Sequence, residues 1–264
     1  MYITYHNSKI FCEVCGKGQP IVMLHGFTES SAIWQHFANS LSQSYTVVTI
    51  DLPGHGRSDC FGYVHSMEQM ADLVNEVLLG MGIDSAVIIG HSMGGYVALA
   101  FAKMFPSKIK GLGLFHSTAS ADSEAARRNR EIAIKAIREN HQGFLLNFVT
   151  DLFAPGNRAK YSGEINQLIS TAIQMDKSGL IAALEGMKTR LDMVEFLSGI
   201  TCPVMFIAGK GDTRIPIESL IHQFSQPKES YSLVLEDVGH MGYIEAREKT
   251  LDFVSFFVET CFKD

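Results

Sequence analysis

The sequence predicts an α/β fold with a mainly parallel sheet, and three observations support this prediction. Short apolar runs rich in Val, Ile and Leu recur along the chain and mostly do not alternate with polar residues. This pattern is typical of strands covered by helices on both faces. Stretches of helical length and pattern separate the runs. The chain has 264 residues, which is enough for one large core with an inserted subdomain.

The elements follow one another in a regular order. The first residues predict an antiparallel hairpin that turns near residues 6–9. Six further strands are predicted at 21–26, 45–51, 86–90, 109–115, 202–209 and 231–238. Predicted helices cover 31–42, 67–81, 93–104, 217–225 and 246–261. Because strands and helices alternate, we expect right-handed crossovers between parallel strands.

One long segment, residues 120–197, does not show this alternation of strands and helices. It contains no convincing strand pattern, and four stretches in it are typical of helices: "SEAARRNREIAIKAIREN", "QGFLLNFVTDLF", "GEINQLISTAIQM" and "SGLIAALEGM". The segment is too long for an ordinary crossover connection. We therefore predict that 120–197 forms a helical cap, or lid, over one edge of the sheet.

Composition and charge limit the classes of function. Apolar residues make up 46% and charged residues 19% of the chain, which is typical of a soluble enzyme. The formal charge of −6 argues against nucleic-acid binding, which needs a basic surface. The basic run "RRNR" at 127–130 lies among glutamates and is interpreted as a solvated helix face. The N-terminus lacks the apolar core of a signal peptide, and no run of about 18 apolar residues occurs, so we expect a cytoplasmic protein without membrane association.

The five cysteines predict neither a disulfide framework nor a metal site. Their odd number and wide spacing fit a reducing compartment. The pair in "CEVC" at 12–15 has redox or zinc spacing, but no second pair follows it. It also lies in a predicted strand, where residues three apart face opposite sides. We interpret this pair as packing residues and expect no metal and no organic cofactor.

A candidate nucleophile, Ser92, lies between the strand at 86–90 and the helix that begins near 93. It is the centre of a G-x-S-x-G pattern with Gly90 and Gly94. On such an elbow the serine has a strained backbone with positive φ, and a side chain two residues away on either side would collide with the turn. The alternative is a glycine turn in which the serine only caps the helix, so the assignment depends on partners.

The partners are found at the ends of two other strands. His240 follows the last strand in a glycine-flanked loop, at the edge where active sites form in parallel sheets. It is the candidate base that a weakly nucleophilic hydroxyl needs. Asp212 follows the preceding strand and is the candidate orienting carboxylate; Asp237 and Asp122 are rivals for this role. Of the other histidines, His55 and His116 end strands, whereas four are predicted at the surface: His6, His65, His141 and His222.

Two backbone N–H groups are candidates for an oxyanion hole. One belongs to Met93, directly after the nucleophile, and the other to Phe27, in the loop after "IVMLHGF". Such donors stabilise the negative charge that develops on a carbonyl oxygen during acyl transfer. Gly26 allows the tight turn that would aim the second N–H inward. A plain turn would explain the same residues, so this prediction depends on the triad.

Four motifs carry a resemblance to the α/β-hydrolase family, and it covers essentially the whole chain. They are "LHGF" at 24–27, "DLPGHGRSD" at 51–59, "GHSMGG" at 90–95, and the pair "GKGDTRIP" at 209–216 with "VGHMGYIEA" at 238–246. The order Ser92, Asp212, His240 is the order of that family's catalytic triad. The resemblance implies nucleophile, acid and base roles for these residues, and oxyanion donors at Phe27 and Met93.

The resemblance also implies the architecture. We expect an α/β-hydrolase fold with a mostly parallel eight-stranded sheet and helices on both faces. Residues 1–119 and 198–264 would form the core domain, and 120–197 the inserted helical cap. Related dehalogenases and epoxide hydrolases carry aspartate at the position of Ser92. The cap, with "GMKTRLDM" running into the next strand, is similar to that of small carboxylesterases, 3-oxoadipate enol-lactonases and the esterases that act on pimeloyl-carrier-protein esters. The chain therefore resembles the serine carboxylesterase and enol-lactonase branch with a helical cap.

These features predict a hydrolase of small to medium carboxylic esters or lactones that works through an acyl-enzyme, as a monomer or homodimer. A carbon–carbon bond hydrolase or a cofactor-free perhydrolase could use the same triad, and a non-catalytic receptor could use the same fold. Predicted apolar pocket walls are Phe27, Trp34, Met93, Phe144, Phe148, Phe153 and Met241. Three further cations, Arg57, Arg190 and Arg214, could meet an acidic substrate, although salt bridges within the protein are the simpler interpretation.

Overall fold

The structure, a computed structural model that describes residues 1–263, is organised around one eight-stranded sheet. The strands are β1 (Tyr2–Tyr5), β2 (Ser8–Cys15), β3 (Pro20–Leu24), β4 (Thr46–Ile50), β5 (Ala86–His91), β6 (Ile109–Phe115), β7 (Val204–Gly209) and β8 (Ser230–Leu235). Their order across the sheet is β1-β2-β4-β3-β5-β6-β7-β8. In the described chain the pairs β1–β2 and β2–β4 are antiparallel, and the other five pairs are parallel. The predicted fold class is confirmed.

Ten α-helices connect or flank these strands within residues 1–263. They are α1 (Gln35–Leu41), α2 (Met67–Gly80), α3 (Met93–Met104), α4 (Glu124–Thr150), α5 (Ser162–Ile173), α6 (Lys177–Lys188), α7 (Val194–Gly199), α8 (Ile221–Phe224), α9 (Gly242–Glu245) and α10 (Arg247–Cys261). Sequence patterns missed α7, which has six residues and is too short for a period to be recognised. The helix predicted at 217–225 is a 3₁₀ turn followed by the four-residue α8.

The strands bury alternate side chains on opposite faces of the sheet. On β3, for example, Val22 and Leu24 belong to one apolar cluster, which also contains side chains of α2 and α3. Ile21 and Met23 belong to the other, with side chains of α1 and α10. This follows from the two-residue period of a strand. We call these the α3 face and the α10 face of the sheet.

Helices α4 to α7 lie between β6 and β7 in the sequence, and side chains of α4 and α6 join the cluster on the α3 face. Helix α4 is interrupted at Asn140, whose φ of −145° and ψ of 79° are not helical. Its side-chain oxygen accepts a hydrogen bond from the Gly143 N–H at 3.0 Å. Asn140 therefore ends one helical segment and caps the next.

The structure tests several smaller expectations. Among residues 1–263, no helix has the length and apolar character that crossing a bilayer requires. The cysteines are free. Cys12 is buried, in agreement with the packing interpretation, whereas Cys15 is exposed and does not pack in the core. The prediction that His65 lies at the surface is wrong, because α6 covers it and its N–H donates to the Ala182 carbonyl at 2.9 Å.

Candidate active site

Ser92 lies on a sharp turn between β5 and α3. Its φ of 50° and ψ of −114° are a strained combination for a residue with a side chain, as the sequence predicted. A Cβ on Gly90 would overlap the backbone of Gly94, and one on Gly94 would approach the Leu24 carbonyl. The turn is also tied to β6, since the Ser92 N–H donates to the Phe115 carbonyl at 2.9 Å. Surrounding structure therefore holds the strained conformation.

His240 and Asp212 form a pair at the edge of the sheet where Ser92 lies. Asp212 follows β7, and His240 follows β8. The Nδ1–H of His240 donates to Oδ2 of Asp212 at 2.7 Å. The other oxygen, Oδ1, accepts backbone N–H groups from Arg214 at 2.8 Å and Ile215 at 3.0 Å. Burial by itself would raise the pKa of Asp212, but His240 and His116 outweigh it and hold this pKa well below its usual range. Asp212 is thus a fixed, ionised acceptor.

A second histidine, His116, shares the Asp212 carboxylate. Its Nδ1 lies 3.2 Å from Asp212 Oδ2, and its Nε2 is buried without a hydrogen-bond partner. Burial lowers the pKa of His116 to about 4, so its ring is neutral at physiological pH. The sequence placed His116 at a strand end and gave no sign of this contact. The contact arises because β6 and β7 are neighbours in the sheet.

Ser92 and His240 both line a cavity of about 430 Å³. It lies on the α3 side, and α4 and α6 supply much of its wall. Of the predicted wall residues, Phe27, Phe144 and Phe148 line it. Residues that the sequence did not single out also do so: Tyr96, Ala126, Ile132, Ala133, Leu152, Leu184, Met187 and Ile215. The wall mixes these apolar side chains with polar ones, among them Asn129 and Thr213, and Arg130 and Arg214 are its cations.

Four predicted wall residues do not line this cavity. Trp34, Phe153 and Met241 are fully buried in the cluster on the α10 face. Trp34, for instance, packs edge-on against Phe115 with ring centroids 5.5 Å apart. The side chain of Met93 is likewise buried and does not reach the cavity. These residues are close to Ser92 or His240 in sequence or space, but their side chains point into the core.

The two candidate oxyanion donors have free N–H groups. In the described part of the chain, neither Phe27 nor Met93 donates its backbone N–H to a protein acceptor. Phe27 follows β3, and Met93 is the first residue of α3. Because β3 and β5 are adjacent and the chain order reverses between them, both groups lie at the point where α/β sheets form a crevice.

The rival acid Asp122 and two of the three further cations have partners within the protein, in agreement with the salt-bridge interpretation. Asp122 forms buried ion pairs with Arg130 and Arg190. Asp237 is exposed. Arg57 contacts Glu13 at 3.2 Å. Within residues 1–263, no carboxylate lies within 4.0 Å of the Arg214 guanidinium, which lies over the Phe148 ring, 4.7 Å from the centroid.

His116, Asp212 and His240 are also the group that could hold a metal ion, because their donor atoms lie within 4.8 Å of one another. We interpret their contacts as hydrogen bonds. Both Nδ1 atoms lie at hydrogen-bond distance from a single oxygen of Asp212, and two N–H groups already engage the other oxygen. The arrangement is complete as a shared carboxylate with two histidine donors.

The protein family of this chain can be assigned from the strand order, the turn at Ser92 and comparison with known proteins. The sequence model described as "alpha/beta hydrolase fold" matches residues 19–247. The chain belongs to the α/β-hydrolase family. This confirms the resemblance of the four motifs, and the strand order and the elbow at Ser92 agree with it.

Relatives across the whole chain include esterases and other hydrolases. The chain is similar to the (E)-2-((N-methylformamido)methylene)succinate hydrolase of Acinetobacter baylyi, with 24% identity over 93% of this chain and 92% of that one. It is 26% identical to the pimeloyl-[acyl-carrier protein] methyl ester esterase of Nitrosomonas europaea, over 95% and 98% of the two chains. A thermophilic esterase from Thermogutta terrifontis superposes with a TM-score of 0.92 at 27% identity, covering 97% and 95%.

Proposed function

We propose that this protein hydrolyses carboxylic esters through a covalent acyl-enzyme on Ser92. One observation carries the proposal: a serine held at positive φ on a strand-to-helix turn shares a cavity with a histidine that a buried carboxylate orients. This is the set of roles that nucleophilic acyl transfer requires. The similarity to named esterases supports the same reaction class.

In the proposed first half-reaction, the Ser92 hydroxyl attacks the ester carbonyl while its proton passes to Nε2 of His240. Asp212 keeps the Nδ1 proton of that ring in place and stabilises the resulting imidazolium. The oxyanion accepts hydrogen bonds from the N–H groups of Phe27 and Met93, each worth about 3 to 4 kcal/mol in the transition state. Collapse breaks the ester C–O bond, and the alcohol leaves with the proton from His240.

In the second half-reaction, water replaces the alcohol. His240 removes a proton from the water as it attacks the acyl carbonyl, and the same oxyanion donors act again. Collapse breaks the bond to Ser92 Oγ, which recovers its proton from His240, and the acid is released. We propose that residues 120–197 serve as the lid of this site, since α4 and α6 supply residues of the cavity wall.

The first test is the Ser92→Ala variant assayed on p-nitrophenyl and methyl esters. We expect kcat to fall about 10⁴- to 10⁶-fold, because the step through the acyl-enzyme is lost. Ser198→Ala, which removes an exposed hydroxyl on α7, serves as the control and should keep wild-type kcat. Wild-type turnover by Ser92→Ala would contradict the proposal.

The second test separates an enzyme from a receptor on the same fold. A fluorophosphonate probe should label the wild-type protein at Ser92, because only an activated serine reacts at a useful rate. The labelled peptide is identified by mass spectrometry. No labelling of the folded protein would favour a binding function over hydrolysis.

A further inference from the structure

A buried carboxylate–histidine pair lies behind Ser92 and takes no part in the proposed bond-making steps. Oε2 of Glu29 lies 2.9 Å from Nδ1 of His91. The exposed fractions of these side chains are 2% and 1%. Glu29 belongs to the loop after β3, and His91 is the last residue of β5, next to the nucleophile. Burying such a pair is costly unless its remaining hydrogen-bonding groups are satisfied.

The remaining groups of the pair reach the other loops of the site. The Glu29 carboxylate also accepts the Gly26 N–H at 2.6 Å and the Tyr243 hydroxyl at 2.9 Å. Nε2 of His91 lies 2.9 Å from the backbone carbonyl oxygen of His240. The pair therefore connects the loop that carries the Phe27 N–H, the turn that carries Ser92, and the loop that carries the base.

The partners of His91 require its ring to be an imidazolium. Both ring nitrogens face acceptors, a carboxylate and a carbonyl, so both must carry a proton to make these bonds. His116 differs, since one of its nitrogens has no partner. Burial alone would lower the pKa of His91, but Glu29, with smaller contributions from the His240 carbonyl and Asp212, raises it.

Other polar groups around His91 do not change this conclusion. The rings of His240, Tyr243 and His116 lie 5.0, 5.2 and 6.2 Å from its own, centroid to centroid. His116 is neutral, and burial with the Glu29 charge raises the pKa of Tyr243 well above 10, so its hydroxyl stays protonated. His25 is buried and its pKa is lowered, so it adds no positive charge at neutral pH.

We propose that Glu29 and His91 are positioning residues that fix the oxyanion loop and the base loop to the nucleophile turn through a buried ion pair. The inference rests on the proposed ester hydrolysis. If His91 lost a proton, the charge of Glu29 would keep the remaining one on Nδ1. The lone pair on Nε2 would then face the His240 carbonyl, and the attachment of the base loop would become repulsive.

The first experiment measures the proton directly. Protein with ¹⁵N-labelled histidine is titrated from pH 6 to pH 9, and ring nitrogens are assigned as protonated or bare from their one-bond couplings. We expect one ring that stays protonated on both nitrogens to pH 9, and we expect this signal to disappear in Glu29→Gln and in His91→Gln. If the wild-type protein shows no such ring at pH 9, the ion pair does not exist, whatever the variants do.

The second experiment measures the effect on turnover. Glu29→Gln keeps the size of the side chain and removes its charge, and we expect kcat to fall about 10²-fold, the effect of misplacing reacting groups by about 1 Å. KM should change less than about threefold, because no substrate contact is removed. Tyr243→Phe removes one donor but no charge, so its kcat should fall less.

The matched control is Glu248→Gln, which removes the same charge from an exposed glutamate 3.4 Å from His36. Its kcat should equal that of the wild-type protein. A folded Glu29→Gln variant with wild-type kcat would overturn the positioning role and leave ester hydrolysis standing. Retained turnover in Ser92→Ala would instead contradict the hydrolytic mechanism, so the two failures are distinguishable.

Discussion

The Arg214 guanidinium is a cation in the wall of the cavity, and no carboxylate of the described chain lies within 4.0 Å of it. Arg130, in the same wall, forms an ion pair with Asp122, which also pairs with Arg190. Burial lowers the pKa of Arg214, but a guanidinium remains charged in proteins. Ser92 and Arg214 line the same cavity, so we expect the proposed hydrolysis to favour esters that carry a free carboxylate.

Replacing Arg214 tests this preference. In Arg214→Met, kcat/KM for a monomethyl ester of a dicarboxylic acid should fall about 10- to 100-fold, the value of a hydrogen bond to a charged group. The value for a neutral methyl ester of equal length should change less than about threefold. Arg127→Met, at an exposed position of α4, is the control. Equal losses on both esters would show that Arg214 acts on structure and not on substrate charge.

Sequence reasoning at the scale of single residues succeeded where backbone geometry decides and failed where side-chain direction decides. The G-x-S-x-G spacing predicted the positive φ of Ser92, because only glycines fit on either side of such a turn. The inward direction of Met241 was not predictable, because residues in loops have no period that assigns them to a face of the sheet. Trp34 was expected in a helix at 31–42 but ends a 3₁₀ helix (Ser31–Trp34), so an α-helical period did not give its direction. The triad roles of Asp212 and His240 stay predictions.

At the scale of elements, two glycines let α6 pack directly on the loop at 51–66. A Cβ on Gly179 would overlap the backbone of Gly54, and one on Gly186 would overlap the carbonyl of His65. The His65 N–H donates to the Ala182 carbonyl at 2.9 Å in the same contact. Glycine at these two positions allows the backbone of α6 to contact the backbone of the loop directly. This contact fixes the position of α6, and α6 supplies one wall of the cavity.

Gly186→Ala should therefore destabilise the protein by about 1 to 3 kcal/mol, the cost of overpacking, despite the better helix propensity of alanine. Gly163→Ala in α5 is the control, since a Cβ there meets nothing within 4 Å. It should be neutral or stabilising by up to about 1 kcal/mol. Urea unfolding of both variants measures the difference. If Gly186→Ala unfolds like Gly163→Ala, the helix can shift away from the loop.

The order of the elements was predictable, and their junctions were less so. Long apolar runs located the central strands, because both faces of a parallel sheet are covered. The interruption of α4 at Asn140 agrees with the boundary between two predicted helices. The long contacts of the site, such as His116 to Asp212, join residues 96 positions apart. These contacts depend on the order of the strands in the sheet, and a single sequence does not reveal that order.

At the scale of the whole molecule, buried neutral histidines make stability depend on pH. Burial lowers the pKa of His116 to about 4 and that of His55 to about 3, whereas an unfolded chain titrates near 6.5. At pH values between the folded and unfolded pKa values, these histidines bind a proton in the unfolded state but not in the folded state. The free energy of unfolding should fall as pH decreases from about 6.5 to about 4, by about 1.4 kcal/mol per pH unit for each histidine.

Urea unfolding at pH 7, 6 and 5 tests this dependence. His55→Gln should reduce the slope by about 1.4 kcal/mol per pH unit, because one titrating group is removed. An unchanged slope would show that His55 does not contribute. His91 acts in the opposite direction, since its pKa is raised. Its contribution is complete below about 6.5 and is lost only as pH rises through its folded pKa.

The Glu29–His91 pair has a further consequence for the charge of the interior. Before the proposed reaction, in which His240 acts as a neutral base, the side chains of Glu29, His91, Asp212 and His240 together carry one negative charge. When His240 takes the proton of Ser92, the buried charges of these four side chains sum to zero. The proton transfer that activates Ser92 in the proposed mechanism therefore also brings the net charge of these four buried side chains to zero.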